Sequence, residues 1–316
     1  MNISRRSFLT GVGGIVAASQ LPVFADDPAV FPKRGQYERL SLAYLHIDAG
    51  ATTPFSILHI SDTHLTDAYP HEDEKKQKLK EIRTITFGGR QEEALRDSLA
   101  WAKKNVDYVL HTGDVIDWIS EANLDLVKKY WGENVFGSVG NHEFSRYMWM
   151  EKGEGTLAYK ALSDELLRKY YPFDISFASK VVNGVNFVTI DDAYGVVTPE
   201  QVERFRAEVK KGLPIVLCMH IPFYTDVMWR AHEKYWTGAG KKFTSAAIPR
   251  IVGDYWTQRN DPTTRDFIAY LKCEPMLKAI LAGHIHMTLQ DRFSPTAVQY
   301  TVGGNFMFCG QEVLFT

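Results

Sequence analysis

Cysteine is scarce in this chain, which has only three among its 316 residues. None of the three lies in a cluster of histidine and aspartate, which argues against a metal site built on thiolates. Cys218 lies in an apolar run and is expected to be a small buried residue. A disulfide between Cys273 and Cys309 stays open at this stage, because spacing alone does not decide pairing.

An excess of either charge is also lacking, since 36 lysines and arginines face 38 aspartates and glutamates, a formal net charge of −2. Binding to nucleic acid is not expected, because it requires a strongly basic surface. Long apolar runs are missing as well. Residues 11–25 contain three glycines and Pro22, whereas a membrane span needs about 20 mostly apolar residues. No stable membrane insertion is therefore expected, and the chain has no internal repeat.

The N-terminus carries a pattern of its own. Residues 4–9 (Ser-Arg-Arg-Ser-Phe-Leu) resemble a twin-arginine export signal, and residues 23–25 (Val-Phe-Ala) offer a small-residue cleavage site. The pattern predicts a signal peptide over residues 1–25 that is read by the twin-arginine export machinery. The remaining residues, 26–316, are predicted to form a single domain in the periplasm or outside the cell.

Polar motifs follow five short apolar runs that are predicted to be buried strands. The runs cover residues 55–61, 106–112, 134–139, 214–219 and 276–282. The motifs are Asp62-Thr63-His64, Gly113-Asp114-Val115-Ile116-Asp117, Gly140-Asn141-His142-Glu143, His220 and Gly283-His284-Ile285-His286. Loops at the carboxyl ends of strands converge in open α/β sheets and bind ligands there. The five motifs are therefore expected to meet in one pocket.

The side chains of these motifs are metal ligands by type. Carboxylate, imidazole and amide groups suit hard or borderline divalent and trivalent ions, and five of the ten histidines lie in the motifs. Two ions roughly 3.5–4 Å apart can clamp a phosphoryl group and generate hydroxide from water near neutral pH. A bridging carboxylate is needed to hold two cations that close, and Asp114 is the natural bridge. His59 and His111 lie within strands and are expected to be core residues or neighbours of the ligands.

The ordered motifs resemble those of the calcineurin-like metallophosphoesterase superfamily, over residues 62–286. The resemblance implies an α/β fold, a four-layer α/β/β/α sandwich of two mixed sheets with outer helices and a dimetal site at the C-terminal ends of the strands. It implies that the first metal is held by Asp62, His64, Asp114 and His286. It implies that the second is held by Asp114, Asn141, His220 and His284. The two divalent or trivalent ions would be Mn, Fe, Zn or a mixed pair.

The same resemblance implies roles for two further residues. His142 would stabilise the phosphate in the transition state or protonate the leaving oxygen, and Asp117 would orient His142. An imidazole that acts as a general acid must be protonated near neutral pH, and a nearby carboxylate raises its pKa. Glu143 would either support the ligands or act as an ordinary carboxylate at a helix start or in a loop, and the sequence leaves both open.

Departures from the superfamily pattern narrow the function. Phosphoprotein phosphatases have an arginine directly after the second aspartate of Gly-Asp-x-x-Asp, where this chain has Trp118, and His-Gly-Gly where it has His-Ile-Pro over residues 220–222. These departures favour a phosphodiesterase that hydrolyses a small-molecule phosphate ester by in-line attack of a metal-bridging hydroxide. The alternative is a phosphomonoesterase for nucleotides or sugar phosphates, with candidate dianion contacts at Arg146, Arg230 and Lys234. A catalytically inactive metal-binding protein is a remote third hypothesis, because the full set of ligands is present.

Several elements are predicted between the motifs. A helix is expected over residues 91–105, and a second begins after Thr198 with Gln201 in a capping box. Asn183-Gly184 predicts a hairpin turn within residues 176–190, and residues 289–302 predict a closing hairpin. The charged run 72–80 is expected to be a solvated helix face. The aromatic segment 223–260 is expected to be a cap insertion over the metals.

Overall fold

The computed structural model describes residues 39–238 and 258–316, which belong to one compact unit, Tyr37–Thr316. One sheet is built from the strands β1 Ser41–Ile47, β2 Phe55–Ile60, β3 Tyr108–Thr112, β4 Val135–Ser138 and β11 Cys309–Phe315. The other is built from β5 Phe177–Val182, β6 Val185–Ile190, β7 Ile215–Cys218, β8 Leu277–Ala282, β9 Leu289–Arg292 and β10 Val298–Thr301. The five predicted strands are thus present as β2, β3, β4, β7 and β8.

Both sheets are mixed. The first has the order β1-β11-β2-β3-β4, in which only the β11–β2 pair is antiparallel. The second has the order β5-β6-β7-β8-β10-β9, with antiparallel pairs at its two edges. The parallel strands β2-β3-β4 of the first sheet and β6-β7-β8-β10 of the second each bring their carboxyl ends to one edge, which is where the polar motifs lie.

The two sheets pack face to face on a shared core. Ile57, Leu110 and Val313 of the first sheet belong to the same buried cluster as Phe187 and Val216 of the second. Strands covered on both faces read as nearly continuous apolar runs, as residues 55–61 do.

Helices cover the outer faces and complete four layers. The described helices are α1 Glu74–Thr86, α2 Gln91–Asn105, α3 Glu121–Tyr130, α4 Leu157–Leu167, α5 Pro199–Val209, α6 Asp226–Gly238 and α7 Pro262–Cys273. Leu95 of α2 and Leu124 of α3 pack with Leu58 of the first sheet. Phe205 of α5 and Phe267 of α7 pack with strands of the second sheet. The predicted four-layer α/β/β/α sandwich is confirmed.

Local predictions hold where helical periodicity, capping or turn chemistry is strong. Helix α2 has the predicted bounds, and Thr198 and Gln201 form a reciprocal capping box at the start of α5. Asn183 and Gly184 have φ values of 44° and 82° and join β5 to β6, as expected of a tight hairpin turn. The closing hairpin is also present, as the antiparallel pair β9–β10.

Other expectations have mixed outcomes. All three cysteines are free, so the disulfide left open between Cys273 and Cys309 is not formed, and Cys218 is buried as expected. The predicted cap 223–260 contains α6, but residues 239–257 lie outside the described residues, as does the predicted signal peptide over residues 1–25. Within the described ranges, no helix combines the length and the apolar character that crossing a membrane requires.

Candidate functional site

The motif loops have unusual backbone conformations. Asp62, His64, Asp114, His284 and His286 all have positive φ, between 51° and 68°. This left-handed region is costly for residues other than glycine and persists where the surroundings fix it, commonly at functional sites. Five of the seven ligand residues predicted from the sequence are therefore held in strained backbone at the ends of β2, β3 and β8.

The first group of converging side chains consists of Asp62, His64 and His286, whose ligand atoms lie within 4.8 Å of one another. The Nε2 atoms of His64 and His286 are 3.1 Å apart, and Nε2 of His286 is 3.2 Å from Oδ1 of Asp62. The backbone N–H of His284 donates to the carboxylate of Asp62. Nitrogens of two histidines and an aspartate oxygen thus point at one spot, as they would around a cation.

The second group consists of Asp114, His220 and His284, again with ligand atoms within 4.8 Å. Nε2 of His220 lies 3.1 Å from Oδ2 of Asp114 and 3.2 Å from Nδ1 of His284. Nδ1 of His220 donates to the carbonyl of Thr112 at 2.7 Å, which leaves Nε2 with a lone pair for a metal.

Two observations fit these groups to a pair of metal ions. Oδ1 of Asn141 is buried and has no hydrogen-bond partner, although buried polar atoms are normally paired; a metal would satisfy it. Asp114 adjoins both groups, since its Oδ2 is 3.1 Å from His220 and 3.8 Å from His64. The residues present therefore suit divalent ions, with Asp114 between the two groups.

The charges of the site favour cation binding. Burial opposes ionisation of Asp114, but His220 and His142, when they are protonated without metal, hold its pKa well below the usual value. Burial likewise opposes ionisation of Asp62, and the charge of His286 together with a hydrogen bond from it lowers its pKa. Both carboxylates are thus ionised at neutral pH and can act as ligands.

His142 and Asp117 meet as predicted. Nδ1 of His142 is 2.9 Å from Oδ1 of Asp117 and 2.9 Å from its carbonyl oxygen, so Nδ1 carries a proton. Nε2 faces the ligands, 4.0 Å from Oδ2 of Asp114. Burial alone lowers the pKa of His142, but the charges of Asp114 and Asp117 outweigh burial and raise it to about 9.

Asp117 has a second role that the sequence did not indicate. Its Oδ1 also lies 2.9 Å from Nδ1 of His64, so one oxygen holds the rings of a ligand histidine and of His142. Its carboxylate further accepts two hydrogen bonds from Arg83, at the end of α1, from Nε at 2.6 Å and from Nη2 at 2.9 Å. Residues 74–80 of the charged run lie in a helix, as predicted, and that helix extends to Thr86, so that Arg83 in its last turn contacts Asp117.

Glu143 supports the ligand loops. It is fully buried, and its carboxylate accepts hydrogen bonds from the backbone N–H groups of Asp114 at 3.0 Å, Val115 at 2.6 Å and Gly140 at 2.8 Å. The hydroxyl of Tyr171 donates to it as well, at 3.1 Å. Burial and the charge of Asp114 raise the pKa of Glu143 to about 7. Of the two roles left open, the structure assigns the support of ligand loops.

Asp192 is a supporting residue that sequence reasoning missed. Its buried carboxylate accepts hydrogen bonds from the backbone N–H groups of His220 at 2.9 Å and Ile221 at 3.1 Å, and burial raises its pKa to about 7. Asp192 is the second residue after β6, as Asp62 is the second residue after β2. Its position after a predicted strand was the signal that could have identified it.

Gly140 allows the two ligand loops to approach each other. A Cβ at this position would lie 2.2 Å from Oδ1 of Asp114 and 2.8 Å from Nε2 of His220. Both distances are far below van der Waals contact, so only glycine fits beside the ligand side chains. The small residue before Asn141 is thus a geometric requirement of the site.

Aromatic rings contact three histidines of the candidate site. The ring of Phe87 stacks on His64, with centroids 4.4 Å apart and planes 9° apart, and Phe306 meets His286 edge-on at 5.2 Å. Trp149 meets His142 edge-on at 4.7 Å. None of these rings was predicted at the site, because each comes from a loop or helix end outside the motifs. They provide an apolar wall beside the polar centre.

Two other histidines have the expected places. His59 is buried and hydrogen-bonded to Thr112, and His111 is buried and hydrogen-bonded to Thr63. Both therefore lie in the core behind the motifs, next to residues that flank ligands.

Several solved phosphoesterase structures match this chain at low sequence identity. A dimetal phosphatase from Danio rerio matches with 17% identity and a TM-score of 0.48, over 80% of this chain and 88% of that one. The purple acid phosphatase PPD1 from yellow lupin seeds matches with 10% identity and a TM-score of 0.44, over 82% and 45%. A 5'-nucleotidase from Candida albicans matches with 11% identity and a TM-score of 0.36, over 84% and 47%. The match thus spans less than half the length of the last two proteins.

Sequence comparison gives the family. No curated protein matches this chain. The family model described as calcineurin-like phosphoesterase matches residues 55–288, which run from the start of β2 past the last histidine motif. This range is most of the chain and contains every predicted ligand. The chain therefore belongs to the calcineurin-like phosphoesterase family.

Proposed function

We propose that this protein is a dinuclear metal-dependent phosphodiesterase. The observation that carries the proposal is the pair of ligand groups that adjoin Asp114, with His142 beside them. One metal would be held by Asp62, His64, Asp114 and His286, and the other by Asp114, Asn141, His220 and His284. Two ions in these positions would neutralise the phosphate and activate the attacking water. Mn, Fe and Zn suit this donor set of imidazole, carboxylate and amide.

Residues of the chain itself would supply the proton that the leaving oxygen needs. As water oxygen adds to phosphorus and the ester P–O bond breaks, the leaving oxygen must acquire a proton. His142 is placed to supply it from Nε2, because Asp117 holds its Nδ1–H at 2.9 Å. The same imidazolium charge stabilises the additional negative charge of the transition state.

Preference for a diester is supported by the surroundings of the ligands. A monoester dianion calls for additional cations, and Arg146 was a candidate. Its guanidinium instead lies over the ring of Tyr159, 5.8 Å from the centroid, and donates to the carbonyl of Leu162. The rings of Phe306 and Trp149 offer an apolar surface that suits a second ester group.

A kinetic comparison tests the function. Purified protein is stripped of metal, reloaded with Mn, Zn, Fe or Ca, and assayed on bis-p-nitrophenyl phosphate and p-nitrophenyl phosphate. We expect metal-dependent turnover and a higher kcat/KM for the diester. A clear preference for the monoester would support the phosphomonoesterase alternative, and no turnover with any metal would leave a metal-binding protein.

We also propose export by the twin-arginine route, from the pattern at residues 4–9. An exported enzyme of this kind would hydrolyse one ester bond of small extracellular phosphodiesters, such as those of lipid head groups, and yield a phosphomonoester and an alcohol. A fusion of residues 1–40 to a fluorescent protein tests this proposal. The fluorescent protein must be one that fluoresces in the periplasm only if it was exported in the folded state. We expect periplasmic signal that is lost when Arg5 and Arg6 are both replaced by lysine.

A further inference from the structure

Arg83, in the last turn of helix α1, contacts the site with its guanidinium. Its Nε and Nη2 donate to the two oxygens of the Asp117 carboxylate at 2.6 and 2.9 Å. Asp117 is fully buried, while the Arg83 side chain is 22% exposed. A planar fork on a carboxylate fixes both the position and the plane of that carboxylate.

The plane of the Asp117 carboxylate matters because two imidazoles depend on one of its oxygens. Oδ1 lies 2.9 Å from Nδ1 of His64 and 2.9 Å from Nδ1 of His142. Rotation of the carboxylate would disturb both rings at once. A partner that fixes Asp117 therefore also fixes the direction in which each Nε2 points.

The guanidinium is itself fixed by a ring. Its central carbon lies 4.9 Å from the centroid of Phe87, and the same ring stacks on His64 at 4.4 Å. Arg83 and Phe87 are four residues apart, and the backbone N–H of Phe87 closes the last turn of α1 on the carbonyl of Arg83. The helix end thus contacts the His64–Asp117 pair from two sides.

We propose that Arg83 is a positioning residue for phosphoester hydrolysis, acting through Asp117 to orient His142 and His64. The inference rests on the proposed function and adds a contribution from a segment outside the five motifs. The cation lies in sequence far from the position after Asp117 where phosphoprotein phosphatases have their arginine and this chain has Trp118. In this chain the guanidinium of Arg83 donates hydrogen bonds to Asp117, although Arg83 does not follow Asp117 in the sequence.

The test is the dependence of turnover on the leaving group. Wild type, Arg83→Met and Arg83→Lys are compared at saturating metal on methyl aryl phosphate diesters whose leaving group ranges from 4-nitrophenol to phenol. A misoriented His142 should lower kcat most for the leaving group whose oxygen depends most on protonation. We expect kcat of Arg83→Met to fall ~10-fold with 4-nitrophenol and ~100-fold with phenol, with KM nearly unchanged. Arg83→Lys keeps the positive charge but loses the bidentate guanidinium, so we expect its kcat to lie between those of wild type and Arg83→Met.

Arg168→Gln is the matched control, since Arg168 forms ion pairs with Asp164 and Asp174 on the surface. Arg83→Ala assayed with millimolar guanidinium separates positioning from folding, because the added ion should restore kcat only if the fork itself is needed. Wild-type kinetics in Arg83→Met, an equal loss for all leaving groups, or a rise in KM at constant kcat would each overturn the inference. Absence of metal-dependent turnover in the wild type would instead refute the proposed function, and this inference with it.

Discussion

The carboxylate of Glu143 accepts a hydrogen bond from the backbone N–H of Asp114 at 3.0 Å. Because it also receives the N–H groups of Val115 and Gly140, Glu143→Ala would leave three backbone donors unpaired in the interior. Each buried unpaired group costs about 1–3 kcal/mol. We expect a markedly lower Tm and a metal affinity lower by ~10–100-fold. Thermal unfolding and metal titration measure both.

Glu165→Ala is the control for Glu143, since the Glu165 side chain is 85% exposed. It should leave both quantities unchanged. If Glu143→Ala also bound metal with wild-type affinity, its carboxylate would have no part in holding the ligand loops.

Gly140→Ala tests the close approach of the ligand loops. The added methyl would lie 2.7 Å from the backbone nitrogen of Asp114 and 2.8 Å from Nε2 of His220. Asp114 and His220 must therefore move away from residue 140. We expect metal affinity and kcat/KM to fall by at least ~10-fold. Gly132→Ala is matched to it, because a Cβ there meets no atom within 4 Å. Equal activities of the two variants would show that the site tolerates expansion.

Asp114→Ala and His142→Ala should separate metal binding from proton transfer. Asp114 adjoins both ligand groups, so its loss should abolish stable metal binding and with it activity. His142 is expected to be outside the metal set, so His142→Ala should keep its metal content and lose kcat by ~10²–10⁴-fold. Elemental analysis beside steady-state kinetics checks both variants. Wild-type activity in both would contradict the assignment of the site.

The burial of His59 predicts that the folded protein loses stability in mild acid. Burial lowers its pKa from 6.5 to about 4, so the unfolded chain takes up a proton first as the pH falls. The neutral imidazole therefore stabilises the fold above pH 6.5, and this contribution is lost between pH 6.5 and 4, up to about 3 kcal/mol. His59→Gln should show a smaller drop in unfolding free energy over that range. Parallel pH curves for both proteins would disprove the role of His59.

The strand ends and the polar motifs that follow them could be predicted because the signals are local. An apolar run followed by an acidic or histidine-containing motif needs no knowledge of distant residues, and the topology of the sheets then brings the motifs together. His220 lies beside Asp114 and His284 for that reason. The capping box at Thr198 and the turn at Gly184 are local in the same sense.

The supporting residues were not predictable because their partners are distant in the chain. Arg83 lies 34 positions before Asp117 in a helix whose charges suggest only solvation. Phe306 reaches His286 from a short turn after β10. The edge strand β1 and its partner β11 were also missed, since their pairing joins residues 41 and 309, at nearly opposite ends of the chain.

The place of β11 in the first sheet has a consequence for how the site matures. β11 lies between β1 and β2, parallel to one and antiparallel to the other, and Asn305 just before it hydrogen-bonds to Thr63 between two predicted ligands. Every predicted ligand precedes this strand in the chain. The hydrogen bond from Thr63 can therefore form only after residue 305 has left the ribosome, so the conformation of the first motif loop is completed by a segment that is synthesised after every predicted ligand.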